Sequence, residues 1–140
     1  MDISFSQEQK YAPEWRGNDT LPAEQRFSVN LTVLNVGDLL YLLDAFNEAG
    51  IEGEVDQTTL GTEQLKPIIK SCGHLLPKYA TVTNLRNADT GTDITINDVV
   101  EFPYFLNLAA ELLMKLAEVS SPSDEDAKNS DAPPVSEPAQ

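Results

Sequence analysis

The strongest constraint on the fold is a long apolar segment in the last third of the chain. Its apolar positions are Val99, Val100, Phe102, Phe105, Leu106, Leu108, Leu112, Leu113, Met114 and Leu116. Proline is tolerated in the first turn of a helix, so the Pro103 within this segment predicts a short turn followed by a helix over roughly residues 103–118. Apolar residues cover more than half of the circumference of this helix, which is more than one small sheet requires. The helix is therefore expected either to lie at the centre of the core or to be shared with a partner.

The first 26 residues are predicted to form an extended arm. Residues 11–22 of this arm read Tyr-Ala-Pro-Glu-Trp-Arg-Gly-Asn-Asp-Thr-Leu-Pro and include the only tryptophan of the chain, Trp15. The two prolines remove backbone donors and favour extended geometry, and the Gly-Asn pair is typical of a turn. Tyr11 and Trp15 carry a large apolar area that stabilises the protein only when it is covered. We expect the arm to fold back on its own core or to dock on another molecule.

Residues 27–119 are predicted to form a small α+β domain. Its first element is a strand over Phe27–Val33, where apolar and polar residues alternate with a period of two. A helix follows from a cap at Asp38 to a stop at Gly50, and a turn-rich stretch then runs from Ile51 to Gly61.

A second helix is predicted to open at Thr62, with Pro67 near its first turn, and to end before Pro77. Two short strands, Tyr79–Leu85 and Thr92–Ile96, are then predicted to form a hairpin around the turn at residues 87–91. The predicted order is strand, helix, helix, hairpin, helix.

Composition limits the classes of partner. The chain has 140 residues, which suits one domain, and its hydrophobic content of 41% is enough for a modest core. Its 23 acidic and 9 basic residues give a formal net charge of −14. This charge disfavours binding to nucleic acid or to an anionic membrane, because both require positive charge on the protein. Residues 120–140 contain four prolines and five acidic residues, and we expect them to form a disordered acidic tail.

Cysteine usage and the start of the chain suggest the compartment. Cys72 is the only cysteine, so no disulfide can form within the chain, which fits a reducing, intracellular environment. The first six residues lack the basic start and apolar run of a signal peptide. The sequence contains no run of eighteen apolar residues, so no transmembrane segment is expected. These features predict a cytosolic protein.

The sequence offers little catalytic equipment. Cys72 and His74 are near neighbours, but groups so close in sequence rarely face each other correctly for nucleophilic catalysis, and Cys72 falls on the apolar face of its helix. Two such ligands are also too few for a zinc site. The aspartates around residues 89–98 lack the spacing of a calcium-binding loop. We therefore predict that the protein is not an enzyme and uses no cofactor or metal.

Three stretches resemble the tail assembly chaperones of long-tailed bacteriophages and related prophages. The first is the arm at residues 11–22 running into the strand Phe27–Val33. The second is Val82-Thr83-Asn84-Leu85 followed by Asp89-Thr90-Gly91 and Ile94-Thr95-Ile96. The third is the apolar segment from Phe102 to Leu116 with the polar Lys128-Asn129-Ser130 behind it. The stretch from Ala45 to Gly61 has no counterpart in this pattern.

The resemblance implies a non-enzymatic role in the host cytoplasm. Such chaperones bind the long, aggregation-prone tape measure protein, keep it soluble and recruit tail tube subunits, and they are absent from the finished particle. A homo-oligomer is compatible with this role. The apolar excess of the last helix and the two aromatic residues of the arm then predict the partner-binding residues, which are Tyr11, Trp15, Phe105, Leu108, Leu112 and Leu116.

Two other classes of function remain open. One is a structural phage component, such as a head–tail connector or a tail terminator. The other is an acidic inhibitor that mimics DNA, which requires carboxylates spread along one extended face. The position of the gene distinguishes them, because a tail assembly chaperone is expected between the tail tube gene and the tape measure gene.

Overall fold

A three-stranded antiparallel sheet forms one layer of the domain. The computed structural model describes residues 1–50 and 62–121. Its strands are β1 (Glu8–Tyr11), β2 (Ser28–Thr32) and β3 (Ala80–Thr83), with β2 in the centre. The predicted first strand, Phe27–Val33, is confirmed as β2.

The two faces of the sheet differ in polarity. Val29 and Leu31 of β2 are fully buried, and their cross-strand neighbours on β3 are Val82 and Ala80. The alternate residues of all three strands are polar or charged, including the exposed Asn30 of β2. Because side chains alternate between the faces of a strand, one face of the sheet meets solvent and the other lies on the core.

Five helices complete the domain within the described residues. They are α1 (Val36–Glu48), α2 (Thr62–Cys72), α3 (Leu75–Tyr79), α4 (Ile96–Glu101) and α5 (Leu106–Ser120). Short 3-10 turns lie at Trp15–Thr20 and Pro103–Phe105. Helix α5 contacts all four other helices and both 3-10 turns. Of the two positions expected for the last helix, the structure therefore has the central one.

The helix ends differ from the predicted ones for local reasons. Asn35, rather than Asp38, caps α1, and its Oδ1 accepts the Asp38 N–H across 2.8 Å. Pro67 lies in the second turn of α2, deeper than predicted. Helix α2 does end before Pro77, but Pro77 then occupies the first turn of α3, where its missing N–H is not needed.

The predicted hairpin is wrong in its second strand. β3 pairs with β2, whereas residues 92–96 form only one isolated bridge, between Arg86 and Asp93. Asn84 turns the chain off the sheet at a positive φ of 68°. Thr95 then caps α4 through a reciprocal capping box with Asp98. Thr95 and Ile96, predicted to end a strand, therefore form the start of α4.

The predicted arm belongs to the domain. Glu8–Tyr11 form an edge strand of the sheet, so residue 26 is not a structural boundary. At the other end, α5 includes Ser120, whose hydroxyl accepts the Leu34 N–H across 2.9 Å. The turn-rich stretch predicted at residues 51–61 and the tail from residue 122 lie outside the described residues.

Candidate functional site: the arm junction and the outer face of α1

A buried carboxylate joins the N-terminal arm to the central helix. Glu111 lies on α5 and is almost fully buried. Its Oε2 accepts the Tyr11 hydroxyl at 2.5 Å and the Glu14 backbone N–H at 2.7 Å. Its Oε1 is buried without a partner among the described residues. Lys115, one turn further along α5, places its Nζ over the Tyr11 ring at 5.1 Å from the centroid.

Burial dominates the titration of this junction. It raises the pKa of Glu111, because the charged form loses more from desolvation than it regains from its hydrogen bonds to Tyr11 and the Glu14 amide. Burial also raises the pKa of Tyr11, and its hydrogen bond to Glu111 adds to this effect. The Tyr11 hydroxyl therefore remains a donor to the carboxylate at all physiological pH values.

Asn18 fixes the turn of the arm. Its buried Nδ2 donates to the carbonyl oxygens of Pro13 and Phe27, both at 2.9 Å, and its Oδ1 accepts the Phe27 N–H at 2.8 Å. The chain reaches this position through Arg16 and Gly17, whose φ angles are 54° and 73°. The side chain of Asn18 thus replaces backbone partners that a loop cannot provide.

An aromatic cluster covers the same region. Trp15 packs against Phe105 at 5.6 Å between ring centroids, against Tyr104 at 6.0 Å and against Phe27 at 6.2 Å. The guanidinium of Arg16 lies over the rings of both Trp15 and Tyr104. The arm is therefore held on its own core by hydrogen bonds and by aromatic packing, which was one of the two expected outcomes.

The predicted partner-binding residues fall into two groups. Tyr11, Trp15 and Phe105 lie together at the arm junction, where Phe105 is buried and the other two are half-buried. Leu108, Leu112 and Leu116 have no exposed surface. The prediction that these three leucines contact a partner would therefore require the core to open.

A stripe of exposed apolar side chains lies on α1. Val36 is 72% exposed and Leu40 is 54% exposed, one helical turn apart. Leu43, which follows at the next helical step, is half-buried. Asp44 and Glu48 are exposed and border this stripe on one side. We call this surface, formed by Val36, Leu40, Leu43, Asp44 and Glu48, the outer face of α1.

The groups considered for catalysis are not arranged for it. Cys72 is fully buried, and burial raises the pKa of its thiol to about 11, which is the opposite of activation. His74 is exposed, and its ring lies beside Tyr41 at 6.1 Å between centroids. Within residues 1–50 and 62–121, no three His, Cys, Asp or Glu side chains converge as metal ligands.

Two residues of this site were missed by the sequence analysis. Glu111 had a signal, since it is the single charged residue within the apolar run from Leu108 to Leu113. A carboxylate in such a run is expected to be exposed or to have hydrogen-bonding partners, and here Oε2 is hydrogen-bonded. Asn18 was predicted only to form part of a turn. Its hydrogen bonds to Pro13 and Phe27 depend on the folded path of the chain and could not be predicted from the sequence.

Comparison with known protein families, with curated proteins and with solved structures finds no match to this chain. Across the part of the chain that the structure describes, no helix has the length and apolar character needed to cross a membrane.

Proposed function

We propose that this protein is a tail assembly chaperone of a long-tailed bacteriophage or prophage. In this proposal it binds the tape measure protein, keeps it soluble before the tail tube is built and helps to recruit tail tube subunits. The observation that carries the proposal is the exposure of Val36 and Leu40, one turn apart on α1. The resemblance of the arm, the middle segment and the last helix supplies the identity of the partner.

The outer face of α1 suits an amphipathic helix as its partner. Apolar side chains spaced at i, i+4 and i+7 match the stripe of such a helix. The carboxylates of Asp44 and Glu48 beside the stripe favour a partner helix with lysine or arginine at its flank. A tape measure protein, as a long helical chain, offers many such segments.

The net charge of −14 supports the same role. Repulsion between like-charged complexes opposes aggregation while an apolar partner is bound. The arm leaves the outer face of α1 accessible, because its hydrogen bonds to the rest of the domain go to α5, Phe27 and β2.

Co-expression tests this proposal. The protein is produced together with the tape measure protein encoded beside it, and the soluble fraction of that partner is measured. The variant Val36→Asp/Leu40→Asp is expected to lose the complex, because two charges would be buried without partners. Thr81→Asp/Thr83→Asp is the matched control, since it adds the same charge at two exposed positions of β3.

Circular dichroism and the thermal midpoint establish that each variant is folded. The proposal predicts a soluble complex for the wild type and the control, and precipitation of the tape measure protein with the α1 variant. A tape measure protein that is equally soluble alone, or a wild type that forms no complex, contradicts the proposed function. A complex that persists with the folded α1 variant contradicts the assignment of the surface.

A further inference from the structure

Within the described residues, β1 is an edge strand whose outer side presents a defined row of backbone hydrogen-bonding groups. The Val33 N–H donates to the Gln7 carbonyl across 2.8 Å, in register with the pairs Glu8–Thr32 and Gln9–Leu31. Hydrogen bonds in an antiparallel pair alternate along a strand, so Gln7, Gln9 and Tyr11 direct their amides and carbonyls towards β2. Those of Glu8 and Lys10 point away from the sheet.

The side chains and the local contacts agree with this orientation. Glu8, Gln9 and Lys10 are exposed, and β1 lies at the edge of the sheet. The Ser6 hydroxyl donates to the Glu8 carbonyl across 2.7 Å, which shows that this carbonyl is accessible from outside. A carbonyl has two lone pairs, so it retains the capacity to accept a second bond.

We propose that two copies of this chain associate by pairing their β1 strands antiparallel across a two-fold axis at Gln9. In this register Glu8 lies opposite the partner's Lys10, and Lys10 lies opposite the partner's Glu8. Both are hydrogen-bonded pairs, because the outward amides and carbonyls belong to these residues. The charges and the hydrogen-bonding groups thus select the same register.

The N-terminal residues also favour a second copy of the chain as the partner of β1. Met1, Ile3 and Phe5 are exposed apolar residues at alternate positions, which is the pattern of a strand with one covered face. In the proposed pairing the residues that precede β1 run past the end of the partner's β1, towards the aromatic cluster around the partner's Trp15. Pairing of the two edges therefore covers apolar surface that one copy leaves exposed.

The opposite edge of the sheet lacks these features. β3 begins directly after α3 and ends at Asn84, where the chain leaves the sheet. Its sequence, Ala-Thr-Val-Thr, carries no charge that could select a register. With a net charge of −14 on each copy, association requires local complementarity, and of the two edges of the described sheet β1 provides it.

Charge exchange tests the register. Glu8→Lys and Lys10→Glu each place like charges opposite one another at both pairs, and each is expected to raise the dimer dissociation constant about tenfold or more. The double variant Glu8→Lys/Lys10→Glu restores complementarity and should dimerise like the wild type. A mixture of the two single variants should form the heterodimer. Sedimentation velocity over a range of concentrations measures all four cases.

Thr81→Lys is the matched control, because it adds a positive charge to the exposed face of β3. It should leave the dissociation constant unchanged. A wild type that remains monomeric at high micromolar concentration overturns the proposal. A dimer that the single charge changes do not weaken, or that Thr81→Lys weakens equally, also overturns it.

A cysteine at the two-fold axis gives an independent test. Cα atoms opposite each other in a non-hydrogen-bonded pair are about 4.5 Å apart, within the range of a disulfide. Gln9→Cys should therefore form a covalent dimer with oxidised glutathione as the oxidant. Glu8→Cys should not, because in this register position 8 lies opposite the partner's Lys10 and two residues away from the cysteine of the partner. The native Cys72 is buried and does not interfere. Equal cross-linking of the two variants, or none with Gln9→Cys, contradicts the register.

Discussion

The hydroxyl of Tyr11 donates a hydrogen bond of 2.5 Å to Oε2 of Glu111, one hundred residues later in the chain. This bond connects the edge strand β1 to the central helix α5. It therefore joins the N-terminal segment to the core, between a half-buried tyrosine and a buried carboxylate. The two residues are expected to act as one unit in stability measurements.

The hydroxyl of Tyr11 should contribute measurably to stability. Tyr11→Phe leaves a buried carboxylate with one donor fewer, and we expect a loss of about 2 kcal/mol in the free energy of unfolding. Urea denaturation measures the difference. Tyr104→Phe is the control, because Tyr104 is 61% exposed and its hydroxyl is accessible to water. Equal and small effects of the two changes would contradict the importance of the junction.

The stability of the protein should depend on pH through Glu111. Burial raises the pKa of this group above its ordinary value of 4.5. At a pH between the two pKa values, the folded state therefore keeps a proton that the unfolded chain has released. The stabilisation from Glu111 is therefore complete below about pH 4.5 and is lost as the pH rises through the raised pKa. Tyr11 and Glu14 face this carboxylate from the arm, and Lys115 and Glu118 lie on the same helix.

Comparison with Glu111→Gln isolates this group. As the pH rises from 4.5, the wild type should lose stability relative to the variant. Other titrating groups, such as Asp38, whose pKa is lowered by hydrogen bonds from Lys78 and Tyr79, are common to both proteins and cancel. Denaturant unfolding at a series of pH values provides the measurement. A difference between the two proteins that is constant with pH would show that the pKa of Glu111 is not raised.

Asn18 should be among the most sensitive polar positions. Asn18→Ala leaves two carbonyls and one N–H of the arm unpaired in a buried place, and we expect a loss of about 3 kcal/mol. Asn30→Ala, at an exposed position of β2, is the control and should change stability little. Thermal and urea unfolding measure both. A tolerated Asn18→Ala would mean that water replaces the side chain.

The end of the domain can be located by truncation. A chain ending at residue 121 keeps the hydrogen bond between the Leu34 N–H and Ser120, whereas a chain ending at residue 119 loses it. We expect the first to keep the thermal midpoint of the full chain, and the second to melt a few degrees lower, which corresponds to about 1 kcal/mol. Equal midpoints for the two truncated chains would contradict a role for Ser120.

Local sequence patterns predicted the strands and helices that bury one face. The alternation in Phe27–Val33 gave β2, and the apolar period before Gly50 gave α1, because burial of one face sets both patterns. The second predicted hairpin strand failed because Thr95 and Asp98 form a capping box, a signal that outweighs a short alternation. The position of β1 could not be read from residues 8–11, which are mostly polar and depend on β2 for pairing.

The site was harder to predict than the fold. The apolar excess of α5 was recognised, but pattern alone does not distinguish a helix surrounded by its own chain from one that meets a partner. In the structure the other four helices pack around α5, whereas Val36 and Leu40 of α1 are exposed. Which helix lies at the centre depends on contacts between elements far apart in sequence, and these contacts are absent from any local window.

Site-specific photo-cross-linking tests the proposed function most directly. A benzophenone amino acid is placed at Leu40, or at the exposed Thr81 as the control, in cells that also produce the tape measure protein. The account predicts a cross-linked product with the tape measure protein from position 40 and none from position 81. No product from position 40, or equal products from both positions, in cells where the two proteins accumulate, would contradict it.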